Sequence, residues 1–286
     1  MTAGSGGPAG PATVTANPSP AAPPHPLPGR DGSLKFAVIG DYGTGGRAQY
    51  EVGDQMTAVH ARFPFELVVT TGDNFYGSQR PPDLVRKFET PYKALLDAGV
   101  EFYASLGNHD SRNLRFYKLF NMDGRLYYTL KAPRQDVRFF ALETGYLEPA
   151  QVQWLEKELA ASTEAWKIPF FHHPLYSSGG RHGSDLAKRQ ALEPLFLEHG
   201  VSVVLTGHDH VYERVKPQQG IVYFVVGSSG QLRRGNLRAT ALTAAGNDQD
   251  RVFMVAEIDG DEMHFNAITR TGRIVDSGVI ERRKPE

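Results

Sequence analysis

Residues able to hold metal ions gather in five short segments of this chain. They are residues 40–43 (GDYG), 72–76 (GDNFY), 107–110 (GNHD), 171–174 (FHHP) and 207–210 (GHDH). Between them they offer two leading aspartates, Asp41 and Asp73, the phenol of Tyr76 and the amide of Asn108. They also hold five of the 10 histidines: His109, His172, His173, His208 and His210. Singly, each segment has an ordinary explanation. A Gly-Asp pair at a strand end is usually a turn or a helix cap, a Tyr between apolar residues is usually core, and a run such as GHDH can be a solvated turn. Together they read as chemistry. Carboxylate, phenolate, imidazole and amide oxygen form a hard-to-borderline donor set that suits iron, zinc or manganese and lacks the soft ligands copper(I) favours. Two such ions held ~3.5–4 Å apart can activate a water and clamp a phosphate. A carboxylate is the natural bridge between them, and spacing alone does not say which aspartate it is.

Each segment needs a rigid element to place it, and each follows a short apolar run. Residues 34–40 (LKFAVIG), 65–72 (FELVVTTG), 100–107 (VEFYASLG), 166–173 (WKIPFFHH) and 201–208 (VSVVLTGH) have the length and β-branched or aromatic content of core strands. Helical periodicity covers about residues 49–62, 84–97, 147–161 and 186–199. Strand–helix alternation predicts an α/β architecture with helices outside buried sheets. Residues 221–227, 251–258, 262–269 and 272–280 read as further strands between polar turns, an antiparallel portion completing a sandwich. All five segments fall at strand C-terminal ends, the edge at which open α/β sheets collect their sites.

Composition narrows the function classes. The chain has 286 residues, is 40% hydrophobic and carries a formal net charge of −1. That balance argues against a nucleic-acid partner, which draws a basic excess. Cysteine is absent, which excludes disulfides, thiolate metal sites and cysteine nucleophiles. No apolar run approaches the ~20 residues of a membrane span. Residues 1–33 hold eight of the 19 prolines and almost no sizeable apolar side chains, so a disordered tail or linker is expected there, ahead of one domain over 34–286. The tail lacks the n- and h-regions of a signal peptide. It resembles the Pro/Ala-rich spacer that follows one, which suggests a secreted or periplasmic protein. A cytoplasmic protein with a floppy tail is the alternative.

The five segments, in this order, resemble the calcineurin-like metallophosphoesterases, and within them the purple acid phosphatases of the small, tartrate-resistant type. Tyr76, three residues after Asp73, is the decisive match; SLGNHD and TGHDH strengthen it, and the resemblance runs from about residue 36 to 230. It implies a four-layer αββα sandwich of two mixed sheets flanked by helices, with the site at the C-terminal strand edge. It implies Fe(III) held by Asp41, Asp73, Tyr76 and His210, and a divalent Fe, Zn or Mn held by Asp73, Asn108, His172 and His208, with Asp73 bridging. Pro174, two residues past the ligand as in the family, selects His172 over His173; strand alternation also makes both unlikely ligands of one ion. His109 and His182 would face a small phosphorylated substrate, and one of them would protonate the leaving group. The implied activity is hydrolysis of phosphate monoesters by direct attack of a metal-bound hydroxide, without a phosphoenzyme. Pro169 departs from the family, which usually has Val there, and leaves the strand register before His172 open.

Two other readings stay in view. One is a metallophosphodiesterase of the same superfamily with Tyr76 a bystander; the other is a non-catalytic metal-binding module. Weaker features include GTGGR (residues 43–47), a phosphate-loop lookalike without the Lys-Ser/Thr ending, whose glycines would let backbone approach the metals. GSSG (227–230), with Arg233 and Arg234, is read as a solvated loop in preference to a pocket rim.

Overall fold

The structure is a computed structural model that describes residues 26–284. The first half of the chain runs β1 (Leu34–Ile39), α1 (Arg47–His60), β2 (Leu67–Thr71), α2 (Pro81–Leu84), a π-helical turn (Val85–Glu89), α3 (Lys93–Asp97) and β3 (Glu101–Ser105). Two 3-10 turns lead to β4 (Tyr128–Lys131), β5 (Val137–Ala141), α4 (Pro149–Ala161), β6 (Trp166–Phe170), α5 (Leu186–Glu198) and β7 (Val203–Thr206). The chain closes with β8 (Tyr212–Val215), β9 (Val222–Val226), β10 (Thr243–Asn247), β11 (Val252–Asp259), β12 (Glu262–Thr269) and β13 (Ile274–Glu281).

The strands form two mixed sheets, one six-stranded in the order β13-β12-β11-β1-β2-β3 and one seven-stranded in the order β10-β8-β9-β7-β6-β5-β4. Within them β1, β2 and β3 are parallel, as are β5, β6, β7 and β9, so the five motif-bearing strand ends reach one edge of each sheet. Side-chain alternation sorts the second sheet. Phe139, Ile168, Leu205 and Phe224 point into the core between the sheets, while Phe140, Phe171, Val204 and Tyr223 meet Leu155, Leu159, Leu192 and Phe196 of α4 and α5. Ring contacts such as Phe36 with Phe139, centroids 5.2 Å apart, stitch the inner faces together. Helices thus cover two sheets packed face to face, the architecture the sequence implies.

Three expectations change. The helical pattern over residues 84–97 is broken into α2, the π turn and α3, because Pro91 has no N–H to continue the ladder. β9 joins the second sheet, parallel to β7 and antiparallel to β8, instead of the antiparallel group of β11, β12 and β13. The tail boundary also moves. Gly29 N–H, Arg30 N–H and the Ser33 hydroxyl donate to the buried Glu257 carboxylate at 2.7, 2.6 and 2.7 Å, and Leu27 packs on the core. A buried carboxylate needs such donors, and residues 29–33 supply them. The rest of the expected tail, residues 1–25, lies outside the described residues. Pro169 pairs with Phe140 in an unbroken register, so β6 delivers His172 without a slip.

Candidate metal centre

The strand ends turn abruptly so that their next residues face one another. Asp41, Asp73 and His208 all adopt left-handed backbone, with φ of 53°, 49° and 71°. Such φ is uncommon for non-glycine residues and concentrates at functional sites. The turns hold each other. Asp41 N–H donates to the Gly72 carbonyl at 3.0 Å, and Gly207 N–H to the His172 carbonyl at 3.0 Å. Gly107 has no room for a side chain, since a Cβ there would fall on Asp73.

Seven sequence-predicted ligands converge into two adjoining clusters. In the first, Tyr76 Oη lies 3.0 Å from Asp41 Oδ1 and 3.1 Å from His210 Nε2, and His210 Nε2 lies 3.4 Å from the same carboxylate oxygen. In the second, His172 Nε2 lies 3.1 Å from Asn108 Oδ1, 3.1 Å from His208 Nδ1 and 3.5 Å from Asp73 Oδ1. Asp41, Asp73 and His172 each place one donor atom within 4.8 Å of the others', which joins the clusters. Every oxygen donor comes from loops of the first sheet, after β1, β2 and β3. Every imidazole comes from loops of the second, after β6 and β7.

The donor chemistry fits cations. His172 Nδ1 sits 2.9 Å from the Thr71 carbonyl, which can only accept, so the ring proton belongs on Nδ1 and the Nε2 lone pair faces Asn108 Oδ1 and Asp73 Oδ1, also acceptors. Acceptors aimed at one another are reconciled by a positive ion. Spacings of 3.0–3.5 Å between donors are the edges of a polyhedron with metal bonds of ~2.0–2.2 Å. Electrostatics agree. Burial, aided by Asp73, pushes the Asp41 carboxyl well above the usual range against the pull of His172. Burial, Asp41 and Asp73 raise the Tyr76 phenol. Burial and the neighbouring imidazoles of His172 and His173 lower His208, and burial with Arg233 lowers His210 to about 4. Cations among these groups would restore the carboxylate and phenolate and accept the neutral imidazoles.

The two substrate-facing candidates flank this centre. The exposed His109 ring packs on Tyr76 at 4.8 Å between centroids, while the His109 backbone N–H donates to Asp73 Oδ1 at 2.9 Å. On the other side the exposed His182 ring lies 4.1 Å from that of His208. His173 and His182 line a cavity of about 440 Å³ beside His208, together with Arg181 and Asp185. His173 stays outside both clusters. Its Nδ1 meets the Thr144 hydroxyl at 3.0 Å, its ring backs that of His208 at 4.5 Å, and burial with His172 lowers its pKa to about 3. A second cavity, lined by His60, Phe65 and Arg134 among others, contains none of the expected site residues.

Several supporting residues carry no spacing signal. Asp110, inside GNHD, accepts from Gly107 N–H, Asn74 N–H, the Asn74 amide and Phe75 N–H at 2.9, 3.0, 2.7 and 2.9 Å, tying two motif loops together. GSSG is not a solvated loop: it is buried, Ser229 N–H donates to the Gly40 carbonyl, and the following Gln231 N–H donates to that of Asp41. In GTGGR, Gly43 makes room for the Asn74 backbone, and its carbonyl takes the Tyr76 N–H at 2.9 Å.

Residues 34–212 match the family described as calcineurin-like phosphoesterase. The chain is 29% identical over 236 residues to purple acid phosphatase 17 of Arabidopsis thaliana, covering 70% of this chain and 69% of that protein. It is 24% identical over 301 residues to tartrate-resistant acid phosphatase type 5 of Rattus norvegicus, covering 88% and 91%. Among solved structures, the purple acid phosphatase from yellow lupin (Lupinus luteus) seeds superposes with a TM-score of 0.73 at 19% identity, over 90% of this chain and 55% of that one. GAP50, the anchor in the inner membrane complex of Plasmodium, gives 0.77 at 17% identity, over 88% and 90%. At those identities the structural likenesses establish the fold alone.

Proposed function

We propose that this chain, which belongs to the calcineurin-like phosphoesterase family, is a two-metal acid phosphatase that hydrolyses phosphate monoesters. The observation that carries the reading is the Tyr76 hydroxyl, 3.0 Å from Asp41 and 3.1 Å from His210. A phenol at that point turns a general metallophosphoesterase pocket into one that suits a ferric ion. Asp41, Asp73, Tyr76 and His210 would hold that ion, and Asp73, Asn108, His172 and His208 a divalent partner of iron, zinc or manganese. Bound there, the ions would acidify a water and neutralise phosphate oxygens.

The remaining work falls to the protein. The Thr71 carbonyl keeps the His172 tautomer that presents Nε2. His109 and His182 stand on opposite flanks, within reach of a phosphate laid across the clusters, and one of them gives a proton to the departing oxygen. Burial, with Arg181 and Arg233, lowers the His182 pKa against the pull of Asp209, so we assign proton donation to His109 and orientation of the phosphate to His182. The Pro/Ala-rich composition of residues 1–33 supports a secreted or periplasmic location, and among the described residues no helix is long and apolar enough to cross a membrane.

The test combines metal analysis of the purified protein, its visible spectrum, and an assay with an aryl phosphate. Two ions per chain, a phenolate-to-iron absorption band and turnover are expected. A colourless, iron-free but active protein would move the reading to another metallophosphoesterase, and a metal-loaded inactive one to a binding module.

A further inference from the structure

Asp209 lies between two of the convergent imidazoles and takes no part in either cluster. His208 and His210 face the two clusters, while Asp209 between them faces the loop that carries His182. Its side chain is wholly buried. Its Oδ2 accepts from the Ser177 hydroxyl at 2.6 Å and from Gly183 N–H at 3.0 Å. These two donors sit near opposite ends of the loop that carries His182. The loop is closed on itself as well: Ser177 N–H donates to the Ser184 hydroxyl at 3.0 Å, and Gly179 N–H to the Ser177 hydroxyl at 3.0 Å. Gly179 rests so near the Asp209 carboxylate that a Cβ there would fall on it. The other carboxylate oxygen, Oδ1, has no hydrogen-bond partner among the described residues. A buried charge with an unused acceptor is costly to keep. This one is retained where it pins a loop to the centre's own backbone.

We propose that Asp209 is a positioning residue: by gripping Ser177 and Gly183 it holds the His182 imidazole against His208, at the mouth of the cavity beside the metal centre. The inference rests on the functional reading above, in which His182 orients the phosphate. His182 is exposed and has no side-chain hydrogen bond of its own among the described residues, so its place depends on its loop. Glu213 and Asn236 hold the middle of that loop through Ser178 N–H and Gly180 N–H, while Asp209, between His208 and His210 in the chain, grips it on either side of His182 through Ser177 and Gly183. Small misplacement of an orienting group is enough to cost on the order of 10²-fold.

The experiment is a double-mutant cycle in the full-length, metal-loaded protein, with metal content measured on every variant. Asp209→Ala is expected to lower kcat on the order of 10–100-fold while both metals stay bound. In a His182→Ala background the same change should cost no more than about a factor of two, the scatter of independent sites. Asp209→Asn, which keeps an acceptor oxygen for both donors, should restore most of the rate. Amide exchange gives a readout free of turnover: Gly183 N–H should lose protection in Asp209→Ala and keep it in Asp209→Asn. Should Asp209→Ala not fold, Ser177→Ala removes the 2.6 Å bond together with the acceptor of Gly179 N–H, leaves the Gly183 bond to Asp209 in place, and is expected to shift both readouts in the same direction, by less. Multiplying rate losses in the double mutant would overturn the inference, as would loss of metal from Asp209→Ala or unchanged Gly183 exchange. If no variant, wild type included, hydrolyses a phosphate ester, the functional reading fails, and Gly183 exchange still decides whether Asp209 orders the loop.

Discussion

His172 Nδ1 lies 2.9 Å from the carbonyl oxygen of Thr71. One residue follows β6 of the second sheet, and the other ends β2 of the first. The contact both joins the sheets at the site and selects the ring nitrogen that faces Asn108 and Asp73. It uses a main-chain oxygen, so no substitution at position 71 removes it directly. The expectations below concern the side chains it helps to aim.

Asp73→Asn is expected to be the most damaging change among the ligands. Asp73 is the carboxylate within reach of both clusters and also takes the His109 N–H. Both ions should be lost, with affinity falling by more than the roughly 10–100-fold typical of a missing supporting contact. Metal content per chain after gel filtration reads this directly. Near-stoichiometric binding of both ions would remove the bridging role.

Tyr76→Phe should abolish the phenolate absorption band and leave the fold intact. The ring that packs on His109 remains, and only the hydroxyl is lost. Visible spectra of the oxidised proteins, wild type beside variant, make the comparison. A band that survives in the variant would identify another chromophore.

His109→Ala should slow alkyl phosphates far more than activated aryl phosphates. Proton donation matters most when the leaving oxygen is basic, and is typically worth ~10²–10⁴-fold. Equal slowing of both classes with falling metal content would instead mark His109 as a brace for the loop after β3. Leaving-group dependence in His182→Ala but not His109→Ala would exchange their roles.

Glu164 sets an acid limit on stability away from the centre. Burial pushes its carboxyl up, but the Ser162 hydroxyl, its own backbone and Arg138 outweigh this and lower it from 4.5 to about 2. A depressed folded value contributes stability above the unfolded pKa that is lost as pH falls through the folded one. Urea denaturation should therefore show wild type weakening between pH 4.5 and 2. Glu164→Gln, less stable at neutral pH, should follow a flatter line over that window. Parallel lines would discount the contribution.

Deleting residues 1–33 should destabilise the protein, contrary to what the composition of that segment suggests. The truncation strips three hydrogen-bond donors from the Glu257 carboxylate and removes Leu27 from the core it packs on. A hydrogen bond to a charged group contributes roughly 1.5–3 kcal/mol, less where water replaces the lost donor. Glu257→Leu in the truncated chain should recover part of the loss, measured by chemical denaturation. An unchanged midpoint on truncation would show the docking to be inconsequential.

The strands that end in motifs were legible because each pairs a buried apolar run with a glycine turn. Others were not. β5 ends in no motif, β8 follows GHDH with no turn signal, and β10 (TAAGN) is a half-exposed edge strand of weak β-formers. Residues 29–33 look like tail because their contribution is two backbone N–H groups and one serine hydroxyl, which composition does not reveal. The residues expected as ligands could be named from their types and order, while the contacts that aim them could not. Thr71 and His172 are 101 residues apart in sequence, and no local pattern joins them. Asp110 and Asp209 sat inside the motifs, and only the structure distinguishes residues that point at the centre from those that grip the loops around it.

The division of donors between the sheets, oxygens from the first and imidazoles from the second, also sets a schedule for a chain made from its N-terminus. Asp41, Asp73, Tyr76 and Asn108 are synthesised early, and on their own they offer only oxygen donors with no facing nitrogen. The imidazoles of His172, His208 and His210 follow, and the first sheet itself waits for β11 to β13. A chain that ends before His210 therefore lacks part of the proposed donor set. Ions held as proposed would act as a clasp closed last, so that metal uptake would report completed assembly, and a chelator would work first on the seam between the sheets.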